Sequence, residues 1–193
     1  MEMGLGIKLN KVEHFYQKID GFSNEENQLE LLKTILPFFK EKIIIAEIGV
    51  YKGRGTAMWN VHLINEKIPY DYYAIDHFLG SDEHQKDVDY FNITKENLKS
   101  IINNINLIKK SSIESCVEFK NEFFDVIYID ASHDYESVKT DILSWLPKLK
   151  KNGIICGDDY ISGWPGVIMA VDEIFGKEKI NTIGSQQWWI KNN

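Results

Sequence analysis

The chain is predicted to adopt an α/β fold: a doubly wound, mostly parallel sheet of seven strands with helices on both faces and an antiparallel C-terminal hairpin strand. Three observations predict it. Apolar runs of strand length alternate with helical patterns of about ten to fifteen residues, which implies βαβ units. The runs "KIIIAEIG", "YDYYAID", "FFDVIYID" and "GIICGDD" end on glycine or aspartate, as strands do where they leave a core for a crevice. The last two runs, "KINTIG" and "QQWWIK", are joined by Gly184 and Ser185, which reads as a hairpin at one edge.

The elements follow in order. "SNEENQLELLKTILPFF" opens with the capping-box pattern Ser23 and Glu26, and Leu29, Leu32, Ile35 and Leu36 mark one helical face. "KIIIAEIG" is a buried strand by length and β-branching. "GRGTAMWNVHLINEK" is a helix and "YDYYAID" the second strand. The polar segment "HFLGSDEHQKDVDYF", which holds His84, reads as a lid or solvated loop without metal-site spacing. A helix over "TKENLKSIINNI", a strand "INLIKK" and a short helix "SIESCVEF" come next. Strand "FFDVIYID", helix "SVKTDILSWLPKLK", strand "GIICGDD" and helix "GVIMAVDEIFG" lead to the hairpin. In that hairpin the adjacent Trp188 and Trp189 face opposite sides, one to the core and one to an edge or a homodimer contact.

A length of 193 residues is one domain's worth, with residues 1–41 an N-terminal helical extension and 42–193 the core that carries the ligand site. A net charge of -7 argues against a sequence-independent grip on nucleic acid, which needs a basic face. Two cysteines, Cys116 and Cys156, do not make a disulfide framework and fit a reducing compartment. No window approaches the roughly 18 apolar residues of a membrane span, and the opening "MEMGLGIKLNKVEHFYQ" lacks a secretory segment. Its lysines, Lys8, Lys11 and Lys18, receive no chemistry. The expectation is a cytoplasmic protein.

The first strand runs into "AEIGVYKGRGT", with glycines at Gly49, Gly53 and Gly55. Glycines at a strand-to-helix turn let the backbone approach a ligand closely, and the helix start offers unpaired N–H groups to a negative group. The pattern is not the G-x-G-x-x-G of a dinucleotide site, and Glu47 precedes the turn. An acid there suits an ammonium group and opposes a pyrophosphate. Asp76, closing the second strand, is placed to accept hydrogen bonds from two ribose hydroxyls. An ammonium, a carboxylate and a ribose describe S-adenosylmethionine better than NAD.

With these motifs in view, the sequence resembles the class I S-adenosylmethionine-dependent methyltransferases, and "EIGVYKGRGT" is similar to the first motif of their catechol O-methyltransferase-like group. Tyr51 stands where many relatives have a third glycine. "YIDASHDYESVKTDILSWLPKLKKNGIICGDDY" with "GVIMAVDEIFG" resembles related small bacterial enzymes, some of which modify sugars on natural products. The resemblance implies a Rossmann-like sheet and a cofactor site of Glu47, Gly49, Tyr51, Gly53, Gly55, Thr56, Asp76, His77, Ser111, Ser112 and Asp130. It implies one Mg²⁺ held by Asp130 and the pair Asp158 and Asp159, and oxygen ligands do suit a hard cation. It puts a catalytic base at the position of His133, where catechol-type enzymes carry lysine. Asp130 and His133 are thus the expected catalytic pair, acting on a small hydroxylated acceptor.

Plainer roles compete with these. Asp130 could cap the following helix, Ser111 and Ser112 could be an N-cap pair, and Tyr135, Tyr160 and Trp164 either line an acceptor pocket or pack locally. Two other functional classes remain on the same fold: an NAD(P)-dependent oxidoreductase, which Glu47 and the glycine spacing disfavour, and a non-catalytic S-adenosylmethionine-binding module.

Overall fold

The computed structural model describes residues 11–80 and 85–192. His84 and Lys8 lie outside the described residues. Seven strands form one sheet: β1 (Ile43–Ile48), β2 (Tyr70–Asp76), β3 (Ile105–Lys109), β4 (Phe124–Ile129), β5 (Leu149–Gly157), β6 (Asn181–Ile183) and β7 (Gln187–Lys191). Their spatial order is β3-β2-β1-β4-β5-β7-β6. The first five run parallel, and the β6–β7 hairpin adds antiparallel strands along β5. The fold is therefore Rossmann-like, as the sequence predicts. The order reverses between β1 and β4, and a sheet of this type opens its ligand crevice where the order reverses.

Helices α1 (Glu25–Ile35), α2 (Arg54–Asn65) and α3 (Tyr90–Asn97) cover one face, where Leu31, Trp59 and Leu98 pack on Ile45, Tyr72 and Val126. Helices α4 (Ser112–Cys116), α5 (Tyr135–Trp145) and α6 (Pro165–Phe175) cover the other, around Ile127, Trp145, Ala170 and Trp188. The tryptophan pair divides as expected: Trp188 is buried in this second cluster, whereas Trp189 packs on the opposite side beside Phe38, 5.7 Å between rings. Both cysteines are free and buried. No helix among the described residues is long and apolar enough to cross a membrane.

Three local expectations are corrected. The cap of α1 is Asn24, whose side chain accepts from the Asn27 N–H, not Ser23. The inner face of α1 is accordingly displaced, so that Asn27, Gln28, Leu31, Leu32 and Ile35 are buried while Leu29 and Leu36 sit at its margin. The third helix starts earlier, at Tyr90 with Asp89 as its cap, and ends at Asn97, leaving Ile102–Asn104 as a 3-10 turn. Asp89 is a better stop for the preceding loop than any residue of "TKENL", because its carboxylate takes the Asn92 N–H.

Gly49 ties the centre of the sheet together. Its φ is +96°, and a Cβ there would stand 2.0 Å from the Asp130 carbonyl oxygen and 2.7 Å from the Ala131 Cα. Both are backbone atoms and cannot rotate away. Gly49→Ala would combine a left-handed penalty with a forced separation of β1 and β4, together roughly 3 kcal/mol or more. The expected result is a fall in the urea midpoint with an unchanged slope, and an unaltered midpoint would contradict the close approach.

Candidate active site

At the carboxyl ends of β1, β2 and β4 lies a cleft of about 1050 Å³. Its walls include Glu47, Gly49, Tyr51, Gly55, Asp76, His77, Ser111, Ser112, Asp130, His133, Asp158 and Asp159, so most of the sequence-predicted residues border one cavity. Thr56 and Gly53 stand behind the wall: Thr56 bonds to Glu47, and Gly53, at φ +83°, starts α2 without a side-chain cap.

Glu47 is 2% exposed. Its Oε2 accepts from Thr56 Oγ1 at 2.6 Å and from Tyr72 OH at 3.1 Å. Its Oε1 accepts no hydrogen bond among the described residues and reaches to 3.3 Å from where a Cβ on Gly55 would be. The carboxylate therefore points at the glycine turn. Burial pushes its pKa up to about 8, against the opposing effect of the Thr56 and Tyr72 donors, and the charge on Asp76 adds to the rise. A cation arriving at Oε1 would relieve that cost.

Asp76 braces the turn as well as facing the cleft. Its Oδ2 accepts from the backbone N–H groups of Val50 and Tyr51, each at 2.9 Å, and its Oδ1 from that of Phe78 at 2.6 Å. These bonds hold Tyr51 at φ +53°, the left-handed region where a glycine would rest without strain. The Tyr51 ring is clasped between Phe22 (5.7 Å) and Tyr90 (5.1 Å). His77 is exposed at the cleft edge, where its Nδ1 accepts from the Leu79 N–H at 2.9 Å.

The structure brings Asp130, His133 and Asp159 together, with one potential ligand atom of each within 4.8 Å of the others. His133 Nε2 lies 2.8 Å from Asp159 Oδ2, and its ring stacks on Trp164 at 4.0 Å. Asp159 adopts φ +64°, and its Oδ2 is the atom that meets His133. Burial, then the charges of Asp158, Asp159 and Glu47, hold Asp130 well above the ordinary carboxylate range.

Asp158 stands apart from that group. It is 5% exposed, and its Oδ1 accepts from Gln186 Nε2 (2.7 Å) and the Asp159 N–H (2.9 Å). Its Oδ2 is approached by Tyr128 OH at 3.3 Å and Gln28 Nε2 at 3.4 Å. Gln28, fully buried on α1, also donates to Tyr128 OH at 2.5 Å and accepts from Trp59 Nε1 at 2.6 Å. A buried polar chain thus runs from the N-terminal helix to the acids. Sequence reasoning missed Gln28, Tyr128 and Gln186. A polar residue on the inner face of an otherwise apolar helix is the signal that could have found Gln28.

The plainer roles resolve as follows. Asp134, not Asp130, caps α5. Ser111 caps α4 in a capping box with Glu114, and also borders the cleft. Ser112 donates to Asp141 and accepts from Trp145 Nε1. Tyr135 and Tyr160 do not line the cleft: their hydroxyls donate to Glu173 and Asp172 of α6. Trp164 does line it.

A family model described as a methyltransferase domain matches residues 46–160. No curated protein matches the chain. Among solved structures, the chain is similar to a SAM-dependent O-methyltransferase from Thermotoga maritima (12% identity, 94% of this chain and 71% of that one, TM-score 0.66). It is similar to an O-methyltransferase from Bacillus cereus in complex with SAH (14%, 95% and 92%, TM-score 0.63) and to a calicheamicin methyltransferase (16%, 86% and 77%, TM-score 0.66). At these identities the likeness is one of fold.

Proposed function

The chain belongs to the methyltransferase-domain family, and from that premise we propose that it moves a methyl group from S-adenosylmethionine to a hydroxyl oxygen of a small acceptor. The observation that carries the reading is Glu47, a buried carboxylate with one oxygen open to the cleft beside a glycine turn. That atom suits the ammonium of the cofactor's methionine part and repels the pyrophosphate of a dinucleotide. Asp76, next along the sheet, suits the ribose.

His133 takes the acceptor's proton, with Asp159 orienting its ring through Nε2. The cofactor, when bound, would supply an activated methyl group: the acceptor oxygen would form the new carbon–oxygen bond as the carbon–sulfur bond breaks, and the sulfonium would be released as a neutral thioether. The protein's share is to hold the two reactants in register. The donor set also fits a divalent cation, because one ligand atom each of Asp130, His133 and Asp159 lies within 4.8 Å of the others, two of them oxygens that suit a hard ion. Bound by Asp130 and Asp159 beside Asp158, such an ion supplies Lewis acidity that lowers the pKa of the acceptor hydroxyl.

Thermal denaturation with S-adenosylhomocysteine tests the reading. A ligand at one hundred times its Kd adds about 2.7 kcal/mol, a rise of roughly 5–10 °C for a chain of this size. NAD should give none; stabilisation by NAD alone would reverse the assignment. A labelled methyl-transfer screen over phenols, catechols and sugars, with and without EDTA, separates an enzyme from a binding module. Transfer that persists undiminished in EDTA would remove the metal from the proposal.

A further inference from the structure

We propose that Tyr128, aimed by Gln28, is a positioning residue that withholds Asp158 from the cation site; the inference rests on the divalent-cation reading above. Tyr128 lies on β4, two residues before Asp130, and is 1% exposed. Its ring packs on Trp59 within the core, 5.1 Å between centres, so the hydroxyl can turn but not travel. That hydroxyl stands between two acids, 3.3 Å from Asp158 Oδ2 and 3.4 Å from Asp130 Oδ2. Both distances exceed the roughly 2.8 Å of a hydroxyl committed to one acceptor.

The direction of every bond in this chain is set at its far end. The indole N–H of Trp59 can only donate, so the Gln28 atom that meets it at 2.6 Å is the carbonyl Oε1. Gln28 Nε2 is thereby turned to Tyr128 OH at 2.5 Å and to Asp158 Oδ2 at 3.4 Å. Because the amide N–H occupies a lone pair of the Tyr128 oxygen, the hydroxyl proton is left for a carboxylate. There is one proton for two acids. A cation that drew on Oδ2 of both would strand that proton in a buried place, at the cost of an unmade hydrogen bond.

Asp158 is the acid that Tyr128 keeps. Its other oxygen is already tied to Gln186 Nε2 and the Asp159 N–H, and Gln28 approaches Oδ2 beside the tyrosine. Asp130 has no side-chain donor besides Tyr128 among the described residues. The potential ligand atoms that gather within 4.8 Å belong to Asp130, His133 and Asp159, without Asp158. Tyr128 therefore releases Asp130 and holds Asp158 back. The site keeps two carboxylates rather than three, and grips an ion less tightly than the acids alone would.

Mn²⁺ binding, read from the paramagnetic resonance of the free ion, tests this. Tyr128→Phe removes one oxygen and keeps the ring; it should tighten the Kd for Mn²⁺ by about 5-fold or more, the scale of one hydrogen bond. Asp158→Asn should cost at least about 5-fold more in the Tyr128→Phe background than in the unmodified chain, because only there is Oδ2 free to reach the ion. Gln28→Met keeps the hydroxyl but not its aim, so it should shift the Kd the same way by less, and add nothing to Tyr128→Phe. A purely structural role would lower the melting temperature and leave the Kd unchanged, which overturns the proposal. Weaker binding by Tyr128→Phe, or an equal cost of Asp158→Asn in the two backgrounds, overturns it as well. Where Tyr128→Phe does not fold, Gln28→Met decides, and an unchanged Kd is then the overturning result. Failure of the unmodified chain to bind Mn²⁺ removes the cation reading itself and this inference with it.

Discussion

Glu47→Gln is expected to weaken S-adenosylhomocysteine binding by roughly 100-fold while leaving the ligand-free fold intact. Glutamine keeps the shape and can still accept from Thr56 and Tyr72, but it carries no charge to meet the ammonium at Oε1. Truncating one side of a buried, hydrogen-bonded charge pair costs about 2–5 kcal/mol, and 100-fold lies within that range. The pH dependence distinguishes this from a generic packing defect. The folded pKa of Glu47, about 8, exceeds the ordinary 4.5. Between those values the unfolded chain has lost the proton and the folded chain still holds it. The contribution to stability is therefore complete below about 4.5 and is lost as pH rises through 8, at about 1.4 kcal/mol per pH unit. The glutamine variant lacks this slope, so its stability should gain on the parent as pH rises across the window. Binding of the ammonium needs the ionised carboxylate, so cofactor affinity of the parent should climb toward pH 8 while that of the variant stays flat. Titration calorimetry and urea unfolding at pH 6, 7 and 8 read both effects. Parallel stability curves for the two proteins would mean that Glu47 is not held protonated by burial.

The sheet was legible in the sequence because its strands are buried on both faces and read as apolar runs, and each run's last residue marked the crevice. Asp76, Asp130 and Asp159 were found for that reason: an acid at or just past the end of a buried strand has nowhere to go but the rim, whereas Glu47, one residue short of the end of β1, showed by its place before the glycine turn. The rest was hidden because its cause is distant in the chain. Asp158 looks like the twin of Asp159, yet Gln28 and Gln186 converge on it from α1 and the hairpin, so one acid of the pair is absorbed into the interior and the other turned to His133. Nothing in the local pattern distinguishes them. Asn24 stands as the cap in place of Ser23, two residue types that serve equally well there, so the local pattern does not separate them.

Replacing His133 with alanine is expected to lower kcat by about 100- to 1000-fold with the S-adenosylhomocysteine Kd changed less than about 2-fold. General-base assistance contributes on the order of 10²–10⁴, and His133 borders the same cleft as Glu47 and Asp76. Its ring is held on two sides, by Asp159 at 2.8 Å and by the face of Trp164 at 4.0 Å between ring centres, so its reach is set before any substrate arrives. The same closeness to Asp130 and Asp159 would let His133 act as a nitrogen ligand to a cation instead. The two roles diverge under metal titration. A base that is missing cannot be replaced by more metal, so turnover of His133→Ala should remain low at saturating Mg²⁺ or Mn²⁺. A lost ligand would raise the metal concentration needed for half-maximal rate and restore kcat at saturation. Asp159→Asn supplies the cross-check at saturating metal, where its share in holding a cation is made up by concentration: as the orienting partner of the base it should then reduce kcat in the His133→Ala background little further, because the group it orients is already gone. Two independent, multiplying losses would place Asp159 and His133 in separate steps. Turnover that survives His133→Ala undiminished would take the histidine out of the chemistry.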